Sequence, residues 1–145
     1  MVAVYKNGQA PHRNNVELGK HGRNRTNVWE YPCANTFLRR SEEGPLAKLH
    51  PTVKPVQMVA DALLDVTARD DLVLDAFLGS GTTLMAAERV GRRCYGVEVD
   101  PLYVDLIIRR WQNYTGGEAV LADTGETFQR RVDAQANEEW KYAFA

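Results

Sequence analysis

Asp75-Ala76-Phe77-Leu78-Gly79-Ser80-Gly81-Thr82-Thr83 is the stretch that decides the fold. An apolar run, Leu72 to Leu74, leads into it, and an Ala-rich run from Thr83 to Arg89 at helical spacing follows. That order predicts a strand, a tight turn and a helix. Glycine at 79 and 81 lets backbone approach a ligand closely, and the helix beyond offers N–H groups that its own carbonyls cannot satisfy. Further along, Gly96-Val97-Glu98-Val99-Asp100-Pro101 ends a second apolar strand with a carboxylate, nineteen residues after Gly79. An acid at that position suits the two hydroxyls of a ribose. Together the two stretches describe a pocket for a nucleotide-like ligand that carries a charged tail.

Outward from this unit, the spacing predicts a helix through Val56, Val59, Ala60, Leu63 and Leu64, capped by Thr52 and closed near Asp70-Asp71. A strand over 72–77, a helix over 82–90 ending at Gly91, and a strand over 93–99 follow. The next helix runs from Pro101 to about Tyr114, with Asp100 as its N-cap and Pro101 in the first turn. Ala119–Ala122 reads as a short third strand, Glu126–Trp140 as a charged terminal helix and Val2–Tyr5 as an N-terminal strand. Residues 9–40 show little periodicity and form a long irregular loop. Strands alternating with helices make the chain α/β, a parallel sheet with flanking helices and right-handed crossovers.

Composition sets the outer limits. A chain of 145 residues with 44% hydrophobic and 26% charged residues suits one soluble globular domain. No apolar stretch is long enough to cross a bilayer, and the N-terminus lacks a signal-peptide pattern. Cys33 and Cys94 have no metal-ligand spacing and fit a reducing cytoplasm, with Cys94 read as a small core residue. The net charge of −1 conceals an asymmetry. Residues 12–25 hold His12, Arg13, Lys20, His21, Arg23 and Arg25 against one acid, Glu17. Such a segment is either a solvated loop or a surface for a polyanion.

The order His50-Pro51-Thr52-x-Lys54-Pro55, Asp75-x-Phe77-x-Gly79-Ser80-Gly81-Thr82-Thr83 and Gly96-x-Glu98-x-Asp100-Pro101 resembles the C-terminal part of the DNA amino-methyltransferases. These are the S-adenosylmethionine-dependent N6-adenine and N4-cytosine enzymes, in the subgroup whose catalytic segment precedes the cofactor segment. Asn14 to Arg23, Arg25 to Pro32 and the tail from Arg110 through Gly125 continue the likeness to bacterial and phage-like members. The resemblance implies a partial Rossmann-like methyltransferase fold, divided into a remnant strand with a basic DNA-contact loop (1–49) and a cofactor-binding subdomain (50–145). It implies S-adenosylmethionine as cofactor and double-stranded DNA as partner, as in restriction–modification systems.

Under that resemblance the cofactor residues are Thr52, Lys54, Asp75, Phe77, Gly79, Ser80, Gly81, Thr82, Thr83, Glu98 and Asp100. Asp75 faces the ammonium of the methionine moiety, or else caps the turn. Thr82 and Thr83 donate to its carboxylate, or else cap the helix. Glu98 holds the ribose, Lys54 is a ligand or a solvated lysine, and Phe77 packs on the cofactor or in the core. The nucleic-acid contacts are Arg13, Lys20, Arg23 and Arg25. No metal is required. The family's Asp/Asn/Ser-Pro-Pro-aromatic segment, which holds the flipped base, has no counterpart, since no Pro-Pro pair occurs in these residues. Asp100-Pro101-Leu102-Tyr103 sits at a helix start instead. The chain is therefore expected to lack activity in isolation, either as a part complemented by a separately encoded N-terminal half or as an inactive remnant that binds DNA or a partner. A dinucleotide oxidoreductase is the other class, disfavoured because the turn lacks a third glycine.

Overall fold

The computed structural model describes residues 3–26, 28–32 and 53–143, with side chains as far as 136. The elements are α1 (Val56–Val66), β1 (Leu72–Asp75), α2 (Thr82–Val90), β2 (Arg93–Gly96), α3 (Pro101–Thr115) and α4 (Phe128–Ala143), after a single 3-10 turn at Lys20–Gly22. They form two compact units, Met1–Val99 and Asp100–Ala145. The sequence-predicted boundary at 49/50 falls among residues outside the described set.

In the first unit β1 and β2 pair in parallel, with Leu72 opposite Arg93, Val73 opposite Cys94, Leu74 opposite Tyr95 and Asp75 opposite Gly96. The crossover between them is α2, and α1 packs on α2. Small residues make that packing close: Ala60, Ala86 and Ala87 are buried, with Met85 filling the remaining volume. α2 ends where a residue in left-handed conformation is needed, and Gly91 supplies it at φ 70°. α1 ends differently. Its C-cap, Thr67, is extended, and the last carbonyls are met by side chains from distant sequence. Arg92 donates to Thr67 O at 2.8 Å and Asn15 Nδ2 to Leu64 O and Thr67 O at 2.7 and 2.8 Å.

In the second unit, Asp100 is the N-cap of α3, its carboxylate accepting from Leu102 N at 2.9 Å, with Pro101 in the first turn. The helix-start reading of Asp100-Pro101 holds. Gly116 closes α3 at φ 70°, and α4 follows a turn.

Several sequence expectations change. Residues 3–5 form no strand, and Val4 and Tyr5 are exposed. A short apolar stretch with no strand beside it among the described residues holds no ladder. Ala119–Ala122 contributes one antiparallel bridge, Val120 to Thr127, rather than a strand. β1 and β2 stop at Asp75 and Gly96, short of the expected 77 and 99, because the chain turns into the loops beyond. The N-cap position of α1 is Pro55, without a side-chain cap; the capping expected of Thr52 lies outside the described residues.

The α/β expectation is borne out, with two strands among the described residues. One face of that sheet carries Leu72, Leu74 and Tyr95, which are 50%, 70% and 62% exposed. An exposed apolar face beside unpaired strand edges favours association. Sedimentation velocity over a concentration series is expected to show reversible self-association of the chain, and a Leu74→Lys/Tyr95→Lys double variant should shift it toward monomer. A clean monomer with a cooperative melt would contradict this.

Candidate functional site

Parallel register places two carboxylates at the carboxyl ends of neighbouring strands. Asp75 closes β1, and Glu98 follows β2 by two residues. Pairing continues past the strand ends, with Val97 N donating to Asp75 O at 2.9 Å and Leu78 N donating to Val97 O at 3.0 Å. The turn is thereby drawn back over the sheet edge. Gly79 at φ 56° and Gly81 at φ 80° adopt left-handed backbone that a side chain would strain.

Both acids grip the turn. Glu98 accepts from Gly79 N through Oε2 at 2.7 Å and from Val99 N through Oε1 at 2.9 Å. Asp75 accepts from Phe77 N through Oδ1 at 3.0 Å and from the Thr83 hydroxyl through Oδ2 at 2.6 Å. A carboxylate oxygen can accept more than one hydrogen bond, so the two bonds given to Asp75 do not by themselves exhaust it. Gly81 is the N-cap of α2 and offers no side-chain cap, which leaves the first-turn amides of Thr82, Thr83 and Leu84 facing the turn. Ser80 and Thr82 are buried, their hydroxyls 3.3 Å apart, and Thr82 Oγ1 lies 3.5 Å from Lys54 O. That contact brings the N-terminal flank of α1 beside the turn.

Asp75, Phe77, Gly79, Ser80, Gly81, Thr82, Thr83, Glu98 and the Lys54 backbone are thus assembled in one unit. Thr52 lies outside the described residues, and Asp100 belongs to the second unit as a helix cap. For Asp75 the turn-capping bond is present, and Thr83 orients Asp75. Phe77 does not join the core: it is 90% exposed beside the turn. Cys94 is half-buried, and its thiol is pushed above the ordinary range by burial first and by the charge of Asp75 second. Gly96 leaves room for Leu78, whose side chain occupies the space that a Cβ there would enter. The grip of Glu98 on Gly79 was not foreseeable from sequence, because a side chain bonding a backbone amide nineteen residues away leaves no periodic signal.

The cationic residues divide. Lys20 and Arg23 share Glu17, at 3.4 and 3.1 Å, and remain 67% and 52% exposed. Arg25 is ion-paired with Asp65, lies 4.2 Å over the Trp29 ring and is only 29% exposed. Arg13 is exposed. In the second unit, a cleft of about 390 Å³ is lined by Ile108, Leu121, Phe128 and Val132 among others, and none of the sequence-predicted site residues takes part.

A family model described as DNA methylase, of the N6/N4 group, matches residues 3–109. The Type II methyltransferase M2.MboI of Moraxella bovis is 30% identical over 118 residues, covering 79% of this chain and 41% of its own length. The Type II methyltransferase M.ScaI of Streptomyces caespitosus is 34% identical over 89 residues, covering 61% and 29%. The chain therefore spans well under half the length of these curated relatives. Among solved structures, the cytosine-N4-specific PvuII DNA methyltransferase aligns with TM-score 0.45 and 32% identity over 51% of this chain and 28% of that one. The M1.HpyAVI complex with SAM aligns with TM-score 0.45 and 29% identity over 61% and 42%.

Two outcomes follow from the site's geometry. Glu98→Ala strips the acceptor from two backbone amides and is expected to cost about 1–3 kcal/mol in urea unfolding, whereas Glu98→Gln, which keeps one acceptor oxygen, should cost clearly less. A raised thiol pKa means less thiolate at any given pH. Cys94 alkylation should therefore stay slow through neutrality and accelerate only above about 8.5, the ordinary thiol value; fast reaction at neutral pH would contradict the burial.

Proposed function

The chain belongs to the DNA methylase family, and on that premise we propose that its first unit is the S-adenosylmethionine-binding part of a DNA amino-methyltransferase acting on adenine N6 or cytosine N4. The observation that carries the reading is the pair of acids, Asp75 and Glu98, at the carboxyl ends of adjacent parallel strands with a Gly-x-Gly turn fastened between them. Crevices at such strand ends are where open α/β sheets bind ligands.

The donor set suits the cofactor group by group. Glu98, a carboxylate just beyond the end of β2 beside the turn, suits the two ribose hydroxyls as an acceptor. Asp75 offers a negative charge to the ammonium. The first-turn amides of α2, reinforced by its dipole, suit the amino-acid carboxylate, with Thr82 and the Lys54 flank alongside. Phe77 presents an exposed ring beside the turn. The bound cofactor supplies an electrophilic methyl group. This part of the chain orients it; the Pro-Pro-aromatic segment that holds the flipped base in the family does not occur among its 145 residues. We therefore assign base binding to a complementing segment, whether joined to this chain or separately encoded. Arg13, Lys20 and Arg23 serve as phosphate contacts on double-stranded DNA, and the protein works beside that DNA in the cytoplasm.

Calorimetric titration of the chain with S-adenosylhomocysteine, and with NAD in parallel, tests the pocket. The expected result is binding of the former alone. Asp75→Asn keeps an acceptor for Phe77 N, can meet Thr83 only with that bond reversed (Nδ2 donating to Oγ1), and removes the charge, so it should weaken binding by about tenfold or more, equivalent to about 1.4 kcal/mol. Binding of NAD without S-adenosylhomocysteine would overturn the reading.

A further inference from the structure

The basic segment is attached to α1 at three points. Asn15 fills the last carbonyls of the helix through its side chain, and its backbone N donates to Asp65 O at 2.9 Å. Asp61 and Asp65, one turn apart, share a helix face. Arg25 takes Asp65 as an ion pair, and Tyr31 Oη donates to Asp61 Oδ2 at 2.6 Å. Trp29 lies between them, under the Arg25 guanidinium and edge-on to Tyr31 at 6.3 Å. The Arg25–Asp65 pair is part-buried, its side chains 29% and 18% exposed. Burial pushes the Asp65 carboxyl above its ordinary value, Arg25 opposes that shift and Asp61 adds to it.

Lys20 and Arg23 are held differently. They share one exposed carboxylate, so a net positive charge remains, and exposed ion pairs of this kind are worth about 0–1 kcal/mol. A phosphate can displace Glu17 from them at small cost. Breaking the part-buried Arg25–Asp65 pair leaves a less hydrated charge uncompensated and costs more.

We propose that Arg25 is a positioning residue: it fastens the basic segment to α1 and fixes Arg13, Lys20 and Arg23 for phosphate contact without touching DNA itself. The choice of DNA as partner rests on the proposed function; the clamp does not. Because the N-terminal flank of α1 adjoins the glycine turn through Thr82 and Lys54, the clamp also sets the distance from the phosphates to the cofactor site.

The test uses the full chain, a fluorescent duplex and two readouts, duplex affinity across a salt series and chymotryptic cleavage at Leu18 and Trp29. Arg25→Ala and Asp65→Ala are each expected to weaken duplex binding by about tenfold, on the scale of one lost anchoring interaction, and to expose the segment to cleavage. The Arg25→Asp/Asp65→Arg exchange should restore both readouts toward the parent. A direct phosphate contact predicts otherwise. Asp65→Ala would then leave affinity equal or higher, Arg25→Ala would lower the salt slope by about one contact with cleavage unchanged, and the exchange would bind worst. Unaltered cleavage in both single variants overturns the clamp. If the parent chain fails to bind duplex at low salt, the phosphate-facing role is overturned, and cleavage still decides the clamp on its own.

Discussion

The first unit depends on one constraint: β1 and β2 must pair in parallel and in register up to their carboxyl ends. Asp75 opposite Gly96 sets where both chains leave the sheet, and the bonds Val97 N to Asp75 O and Leu78 N to Val97 O carry the pairing into the loops. A one-residue slip would invert every side chain. It would also part Glu98 from Gly79 N, leaving a part-buried amide without its acceptor. An unmade bond of that sort costs more than a made one contributes. Register, turn and acids are therefore specified together, and the Gly79 and Gly81 conformations persist because carboxylates on both sides hold them.

Helix packing serves the same constraint. α2 must cross closely over α1 to bring its first turn to the sheet edge, and the buried alanines at 60, 86 and 87 permit the approach. Gly96 answers a matching demand from Leu78, whose side chain occupies the space that a Cβ would need. The other face of the sheet, with Leu72, Leu74 and Tyr95 exposed, has no such fitted layer among the described residues of this unit.

What the sequence made legible was local. Gly-x-Gly after an apolar run, Asp100-Pro101 at a helix start and Gly91 at a helix end each act within a few residues, and each sits where its chemistry requires. The α/β order followed from these signals. Longer-range bonds were hidden. Arg25 and Asp65 are forty residues apart, and Asn15 reaches Thr67 across fifty-two. Nothing in the periodicity of either segment announces its partner, so a cation-rich loop could be read only as a uniform surface. The N-terminal strand failed for a related reason: β-propensity needs a neighbouring strand, and Val4 and Tyr5 have none among the described residues.

Two acids of the first unit show how structure separates site from scaffold. Asp65 is shielded and meets a guanidinium, so its charge is spent within the fold. Asp75 bonds an amide and a hydroxyl, donors that orient a carboxylate without neutralising it. Among the described residues no cationic side chain pairs with it, and its field reaches far enough to disfavour the Cys94 thiolate. A carboxylate oriented by neutral donors, with no cation beside it among the described residues, is placed to receive a cationic group. The same reasoning applied to the cations separates Arg25, already matched, from Lys20 and Arg23, which share a single acid. On the proposals made above, charge left unmatched among the described residues, rather than charge that the sequence contains, is where ligands of opposite sign are to be sought: a cationic group at Asp75, and phosphates at Lys20 and Arg23.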